Sequence, residues 1–588
     1  MVKQDRLQIN SINLTPPTNW KKVTSCFIVL LLITFTSCST NDTAPDLIIT
    51  NATLWSHQGL PDDANTIVID DGKIKEIGSA LVADLVDDET KVIDAKGAFV
   101  MPGFIEGHGH FSGLGKSLQN LNLLKTTSWD DILTMVNEKV SETPPGQWIE
   151  GRGWHQEKWT STPDENYHGY PSHEALSDIS QDHPLILYHA SGHALFANAK
   201  AMEFAGVSRE TADPVGGAII RDENGDAIGV FEERAMNLVY AAYKDYLDGL
   251  PREIKDEKWY ESIALAEAEC LQKGITSFQD AGSKIWEIER YTEMADKGAL
   301  DLRLWAMVRQ SSAEMEPELG RLKVIDAGNG FFTCNAIKSE IDGALGAFGA
   351  WLIEPYSDKD GFHGQNTTDI KEVKAIADLA IKHDMQYCVH AIGDRANRVI
   401  VDLYESMLSK SEDGNDRRWR IEHAQHLDPV DIPRFASNGI IASMQGIHCT
   451  SDAPFVVSRL GEERSARGAY AWRSLLDADV LIANGTDAPV EDVDPLPSLY
   501  ASVTRQRADS GLKFFPEQSM TRHEALSSYT YANAYAAFED ESKGSLEVGK
   551  YADIVIFDTN LLTCATENIL KAKVLYSVVD GKVRYEKG

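Results

Sequence analysis

Cysteine is scarce in this chain, with seven in 588 residues and no Cys-x-x-Cys pair. That argues against a thiolate metal cluster and against a disulfide framework. The five after Cys38 (Cys270, Cys334, Cys388, Cys449 and Cys564) are odd in number and widely scattered, and are expected to be free thiols. Basic residues are also short. Lys and Arg number 56 against 90 Asp and Glu, a formal net charge of −34, which argues against nucleic acid or an anionic membrane surface as partner. No apolar run approaches the roughly 20 residues that span a bilayer, and no short repeat or low-complexity tract is present. What remains is ordinary globular composition, 43% hydrophobic and 25% charged, long enough for one large domain and a smaller one.

The N-terminus departs from this composition. Lys21 and Lys22 precede "CFIVLLLITFTSC", an apolar run of about a dozen residues that ends in small residues at Cys38. A basic region, a short apolar core and small residues before a polar stretch describe a signal peptide over 1–37. Phe35-Thr36-Ser37-Cys38 resembles, loosely, the lipidated cysteine of a bacterial lipoprotein. The expectation is a lipid anchor at Cys38 and a place in the cell envelope, periplasmic or surface-exposed. A plain secretory signal or an uncleaved anchor is the alternative.

Residues 46–100 and 536–588 read as short strands with turns. Asp71-Gly72 and Asp580-Gly581, each between β-rich runs, are hairpin signals. Two β-rich ends predict one small β-sandwich assembled from both termini. Between them, over 101–535, helical patterns such as "DIKEVKAIADLAIKHD" alternate with short apolar runs: "ITSFQDA", "MQYCVHA", "WRIEHA", "IIASMQG" and "DVLIANGTDA". This alternation predicts an α/β fold, a (β/α)8 TIM-like barrel. The stretch from about 112 to 260 is too long for one βα connection. It holds Trp148, Trp154 and Trp159, and reads as an insertion near the barrel mouth, with a purely packing role equally consistent.

Polar residues fall where such a barrel would use them. "PGFIEGHGHF" ends an apolar run in His108 and His110, whose side chains share a strand face. Two neutral imidazoles converging on one point suit a transition metal. "MQYCVHA" delivers His390, "WRIEHA" delivers His423 and "VLIANGTDA" delivers Asp487, each at the end of an apolar run and at barrel-unit spacing, and Lys338 ends another run upstream. Singly, each has a dull reading: a histidine satisfying the backbone, an aspartate capping a turn, a surface lysine. Jointly they describe a nitrogen–oxygen metal site, best suited to zinc and less well to manganese or iron.

The motifs match a family. "MPGFIEGHGHF", "GRGWHQEKW", "SGHALFANAKAM", "IKSEIDGALGAFGAWLIEPY", "VHAIGDRAN", "RIEHAQHL", "SMQGIHCTSD", "VLIANGTDAPVEDVDPL" and "GSLEVGKYADIVIFD" occur in order. Over about Leu47 to Gly588 the chain resembles the YtcJ-like branch of the amidohydrolase superfamily. The resemblance implies His108, His110, His390 and His423 as ligands of one or two divalent ions, most often zinc. It implies Lys338 as a carboxylated bridge between two metals, and Asp487 as both ligand and handler of the water's proton. It also places His193 towards the pocket, with Trp154, His155, His448 (with Asp452), Trp472 and Arg473 as further substrate-binding candidates. Glu106 stands where relatives often carry Asp. The implied activity is hydrolysis of a carbon–nitrogen bond other than a peptide bond, in an amide or N-substituted formamide, with a small-molecule substrate. Hydrolysis of esters or cyclic amides, deamination or isomerisation on the same metal, or a non-catalytic envelope binding protein are the alternatives. A homodimer is compatible with all of these.

Overall fold

The computed structural model describes residues 44–79, 85–156, 159–160, 163, 166–167, 169–190, 194–408 and 416–588. Cys38 and His193 lie outside them. Eight parallel strands form the centre: Phe104–Gly109, Ile275–Ser283, Arg303–Val308, Phe332–Glu340, Gln386–Ala391, Arg420–His423, Ile441–Gln445 and Ile482–Gly485. Each pairs in parallel with the next. Most of their residues are buried on both faces, as near-continuous apolar runs in parallel sheets must be. Helices such as Ile370–Lys382 and Asp394–Leu408 turn an apolar stripe onto the strands.

The first and last strands meet through a seam of side chains and a few backbone bonds. Asn533 donates from Nδ2 to Ile105 O (2.6 Å) and Asn484 O (2.7 Å), and accepts from Asn484 N at 3.1 Å. Further along, Asp487 N donates to His108 O and His110 N to Ala488 O, both at 2.7 Å. Glu106 adds its carboxyl group, accepting from Thr486 N at 2.7 Å and lying 3.0 Å from Thr486 Oγ1. Two glycines make room. A Cβ on Gly107 would fall 2.4 Å from Asn484 O, and one on Gly485 would fall 2.3 Å from Glu106 Oε1. Asn533→Ala leaves several buried polar groups without partners. It is expected to destabilise the fold by about 2–4 kcal/mol, measurable by denaturant unfolding.

Both chain ends contribute to a second β region. A four-stranded sheet runs Lys73–Gly78, Thr66–Asp70, Leu47–Thr50, Lys91–Asp94. A five-stranded sheet runs Thr53–Leu54, Phe99–Pro102, Ile554–Phe557, Val574–Val579, Lys582–Glu586, so two N-terminal and three C-terminal strands share one ladder, joined where Phe99–Pro102 pairs antiparallel with Ile554–Phe557. Leu47, Ile49, Ile67 and Ile69 share an apolar core with Ile554, Ile556 and Val578. Both Asp-Gly turns are hairpins with positive φ at each central residue: Asp71 at 50° and Gly72 at 71°, Asp580 at 54° and Gly581 at 70°.

The expected insertion at about 112–260 is shorter at both ends. Helices Phe111–Gln119 and Arg252–Gln272 belong to the barrel layer, since Phe111, Leu114, Ile263 and Ala266 pack into its core. Between them lies a six-stranded sheet in the order Gly217–Arg221, Ala227–Glu233, Ala194–Ala197, Leu185–His189, Ile149–Trp154, Leu121–Asn122. Four of the five cysteines after Cys38 are buried free thiols, and Cys564 is half-buried.

Candidate active site and metal centre

The strand ends bring the predicted residues together. His108 and His110 leave the first strand, and Asp487 follows the last across the seam. His108 Nε2 lies 3.6 Å and His110 Nε2 3.2 Å from Asp487 Oδ1. The His423 ring centroid is 4.7 Å from that of His108 and 4.4 Å from that of His390. His423 (φ 74°) and Asp487 (φ 60°) hold left-handed backbone, a conformation costing about 1–3 kcal/mol that clusters at functional sites.

Hydrogen bonds fix which nitrogen carries the proton. His108 Nδ1 donates to Glu422 Oε2, and His423 Nδ1 donates to Gln445 Oε1 at 2.8 Å. The Nε2 atoms therefore carry bare lone pairs, as ligands to a metal do. Glu422 is kept ionised. Burial pushes its carboxyl up, but Arg420 and His108 together hold it well below the usual range. Arg420 Nε sits 2.7 Å from Glu422 Oε1. Burial, with the charge of Lys338 nearby, lowers His108 to about 4. Burial first, then Lys338, lowers His390 to about 3, and burial with its two histidine neighbours takes His423 well below its ordinary value. The imidazoles are thus neutral. For Asp487, burial acts upwards, yet the closeness of His110, His108 and His423 holds its carboxyl well below the usual range.

This arrangement is incomplete without a cation. His108 Nε2, His390 Nε2 and Asp487 Oδ1 are all buried with no hydrogen-bond partner; even the 3.2 Å approach of His110 lacks hydrogen-bond alignment. Lone pairs and an ionised carboxylate buried against one another are costly unless a positive ion lies among them. Among the described residues, two buried or half-buried triplets have ring-nitrogen and carboxylate-oxygen atoms within 4.8 Å of one another: His108, His110, Asp487 and His423, His448, Asp487. Lys338 is buried beside them, its Nζ 3.4 Å from Ala281 O. Burial lowers its pKa against the pull of Glu422 and Asp487.

A family profile described as "Amidohydrolase family" matches residues 91–585. The chain belongs to the amidohydrolase family. Protein LONG AFTER FAR-RED 3 of Arabidopsis thaliana is 32% identical over 92% of this chain and 91% of its own length. YtcJ of Bacillus subtilis is 29% identical over 90% and 97%, which sets this amidohydrolase in the YtcJ-like branch. N-substituted formamide deformylase of Arthrobacter pascens is 27% identical over 92% and 98%. Among solved structures, an uncharacterized metal-dependent hydrolase from Pyrococcus horikoshii superposes with a TM-score of 0.69 at 25% identity, covering 88% of this chain and 99% of its own. The amidohydrolase is a metal-dependent hydrolase on a TIM-like barrel.

Three expected pocket residues are taken up elsewhere. Trp154 is 1% exposed in the core of the inserted sheet, its Nε1 donating to Leu187 O at 2.8 Å. Trp472 is also 1% exposed, under the Arg505 guanidinium, 4.7 Å from its ring. Arg473 is paired with Glu524, Nη1 to Oε1 at 3.0 Å. These corrections share a cause: an indole or guanidinium in a motif serves packing as readily as binding, and only burial and partners decide. His155 is half-buried in the insertion, its ring 4.5 Å from that of His189. Asp452 accepts from Tyr470 Oη at 2.6 Å. Glu106 proves to be a seam residue. It also accepts from His108 N at 3.1 Å, and burial raises it to about 8.

Several residues at the site were not anticipated. Arg420 and Glu422 stand at alternate positions of a fully buried strand, and two charges there are a signal in themselves. Asp342 accepts from Trp351 N, Ile392 N and Gly393 N and lies 3.7 Å from His390 Nε2. Gln445 and Gln425, which orient His423 and His448, give no sequence signal.

Proposed function

We propose that this amidohydrolase cleaves a carbon–nitrogen bond other than a peptide bond, in an amide or N-substituted formamide. The observation that carries this reading is the partnerless set of His108 Nε2, His390 Nε2 and Asp487 Oδ1 in one buried pocket. The likeness to a protein named N-substituted formamide deformylase over 92% of the chain supports the substrate class. His108, His110 and Asp487 would hold the ion, joined by His390, His423 and Lys338 where two ions bind. Zinc suits this nitrogen–oxygen set best. When bound, a divalent ion brings the pKa of water down towards 7 and polarises a carbonyl.

The chain's own residues do the rest. Asp487, held ionised, accepts the proton of the attacking water and passes it to the leaving nitrogen. Glu422 keeps the His108 ring in its ligating tautomer. We take Lys338 as carboxylated; burial lowers its pKa, a shift in the direction that favours the amine form, which adds CO2. Turnover of a panel of N-alkyl and N-aryl formamides, with products identified, tests the reading: amine plus formate supports it, whereas release of ammonia from an intact ring replaces it with deamination. The metal-to-protein ratio is expected near two. A ratio near one removes Lys338 from the ligand set.

The two β sheets of the chain ends are read as one small sandwich, and the segment before Cys38 as a lipoprotein signal. Cys38→Ser is expected to move the protein from the membrane fraction to the soluble one. If the variant stays with the membrane, Cys38 is not the anchor.

A further inference from the structure

The histidines around Asp487 are not all oriented alike. His108 and His423 each present Nδ1 to an oxygen acceptor, the Glu422 carboxylate and Gln445 Oε1. His448 does the reverse. It stands in the first turn of helix Gly446–Leu460, after the seventh barrel strand. Its Nδ1 faces an amide nitrogen, Gln425 Nε2, at 3.2 Å. An amide NH2 only donates, so Nδ1 accepts and the single ring proton of a neutral imidazole sits on Nε2. That Nε2 is buried and has no hydrogen-bond partner, while a ring nitrogen of His448 lies within 4.8 Å of ligand atoms of His423 and Asp487.

The surroundings hold this orientation. The His448 ring lies nearly parallel to that of His423, at 15° and 6.3 Å. Gln425 is two residues beyond His423, and its backbone carbonyl accepts from Tyr470 N at 2.6 Å, which fixes the start of its side chain. The helix start is clamped by Gly446 N donating to Asn484 Oδ1 at 2.9 Å and Ile447 N to Ser498 Oγ at 3.0 Å. A Cβ on Gly446 would fall 2.4 Å from Ser502 Oγ. A nitrogen bearing a proton cannot ligate a metal, yet a buried one without a partner is a preorganised donor.

We propose that His448 is a catalytic hydrogen-bond donor, its Nε2–H fixed by Gln425 to meet the scissile carbonyl oxygen as that oxygen gains negative charge. This rests on the hydrolase reading and adds a residue to it. The proton stays on Nε2 throughout, and no bond to His448 forms or breaks. Such a donor strengthens with the charge on the oxygen and so acts on kcat more than on KM.

The test uses the full chain purified without chelators. In 15N spectra of histidine-labelled protein, the His448 signal, identified by its loss in His448→Gln, is expected as the Nε2–H tautomer. His448→Ala is expected to keep the parent metal-to-protein ratio and lower kcat on N-substituted formamides about 10²–10³-fold, with KM changed by no more than about twofold. His448→Gln, which retains an amide N–H, should recover part of that loss. Gln425→Met, which removes the N–H facing Nδ1 and with it the bias towards the Nε2–H tautomer, should lower kcat in the same direction as His448→Ala, by less, with KM again little changed. An Nδ1–H tautomer, or metal lost from His448→Ala, makes His448 a ligand and overturns the proposal, as does an unchanged kcat. A parent enzyme that cleaves no amide overturns the hydrolase reading, and the carbonyl assigned to His448 with it.

Discussion

Asp487→Asn is expected to lower kcat by about 10²–10⁴-fold, the usual contribution of a positioned general base, with little change in melting temperature. The carboxylate is buried, yet the imidazoles around it keep it ionised. An amide of the same shape occupies the space but cannot take a proton. The backbone tolerates the exchange, because Asn adopts left-handed conformations readily and residue 487 has φ 60°. Steady-state kinetics, metal content and thermal unfolding on one preparation separate the effects. A variant with parent turnover would remove Asp487 from proton transfer, and one that loses metal before it loses rate would make the residue chiefly a ligand.

The second large effect is expected at Glu422, through both metal binding and stability. Its carboxylate lies between Arg420 and the His108 ring. Arg420 is fully buried too and donates in addition to Gln279 Oε1, Gly107 O and Ser443 Oγ, joining four strands of the barrel. Glu422→Gln keeps the shape and leaves Arg420 with an uncompensated buried charge, a change costing about 3–5 kcal/mol. Loss of the anion behind His108 should weaken metal binding about 10–100-fold. The sign of the pH dependence follows from the depressed pKa. A carboxyl lower in the folded than in the unfolded state stabilises above its ordinary value of 4.5, and that stabilisation disappears only as pH falls through the lower folded value. Chemical denaturation of parent and variant should therefore give the same gap at pH 7 and pH 5. A gap that closes by pH 5 would mean that Glu422 is not held ionised.

The clustering of the histidines with Asp487 was legible because barrel geometry gathers strand-end residues at one face, and strand ends are marked by apolar runs. His108, His110, His390, His423 and Asp487 all follow this rule. The Asp-Gly hairpins were legible for a local reason, since positive φ at both central positions selects those residues. Other features depend on which strands become neighbours. Gln445 and Gln425 are uncharged amides whose value lies in the ring they face, and Asn533 closes a gap between residues more than 400 positions upstream and about 50 upstream. Arg420 and Glu422 stood in plain view inside "WRIEHA". They read as part of a strand until burial showed two charges where the interior admits none unpaired. Trp154 and Trp472 show the opposite side of the same limit: aromatic residues of a motif that the fold buries in its core.

The seam also bears on how the enzyme is made. Synthesis at about 5–20 residues per second separates the appearance of His108 from that of Asp487 by roughly 20–80 s. For that interval the growing polypeptide displays an imidazole pair whose carboxylate counterpart has not been translated. Native-like ion capture would then be one of the last events in the life of the nascent chain, and a product truncated between residues 487 and 533 would leave the ribosome with the histidines and Asp487 present and the seam at Asn533 unclosed.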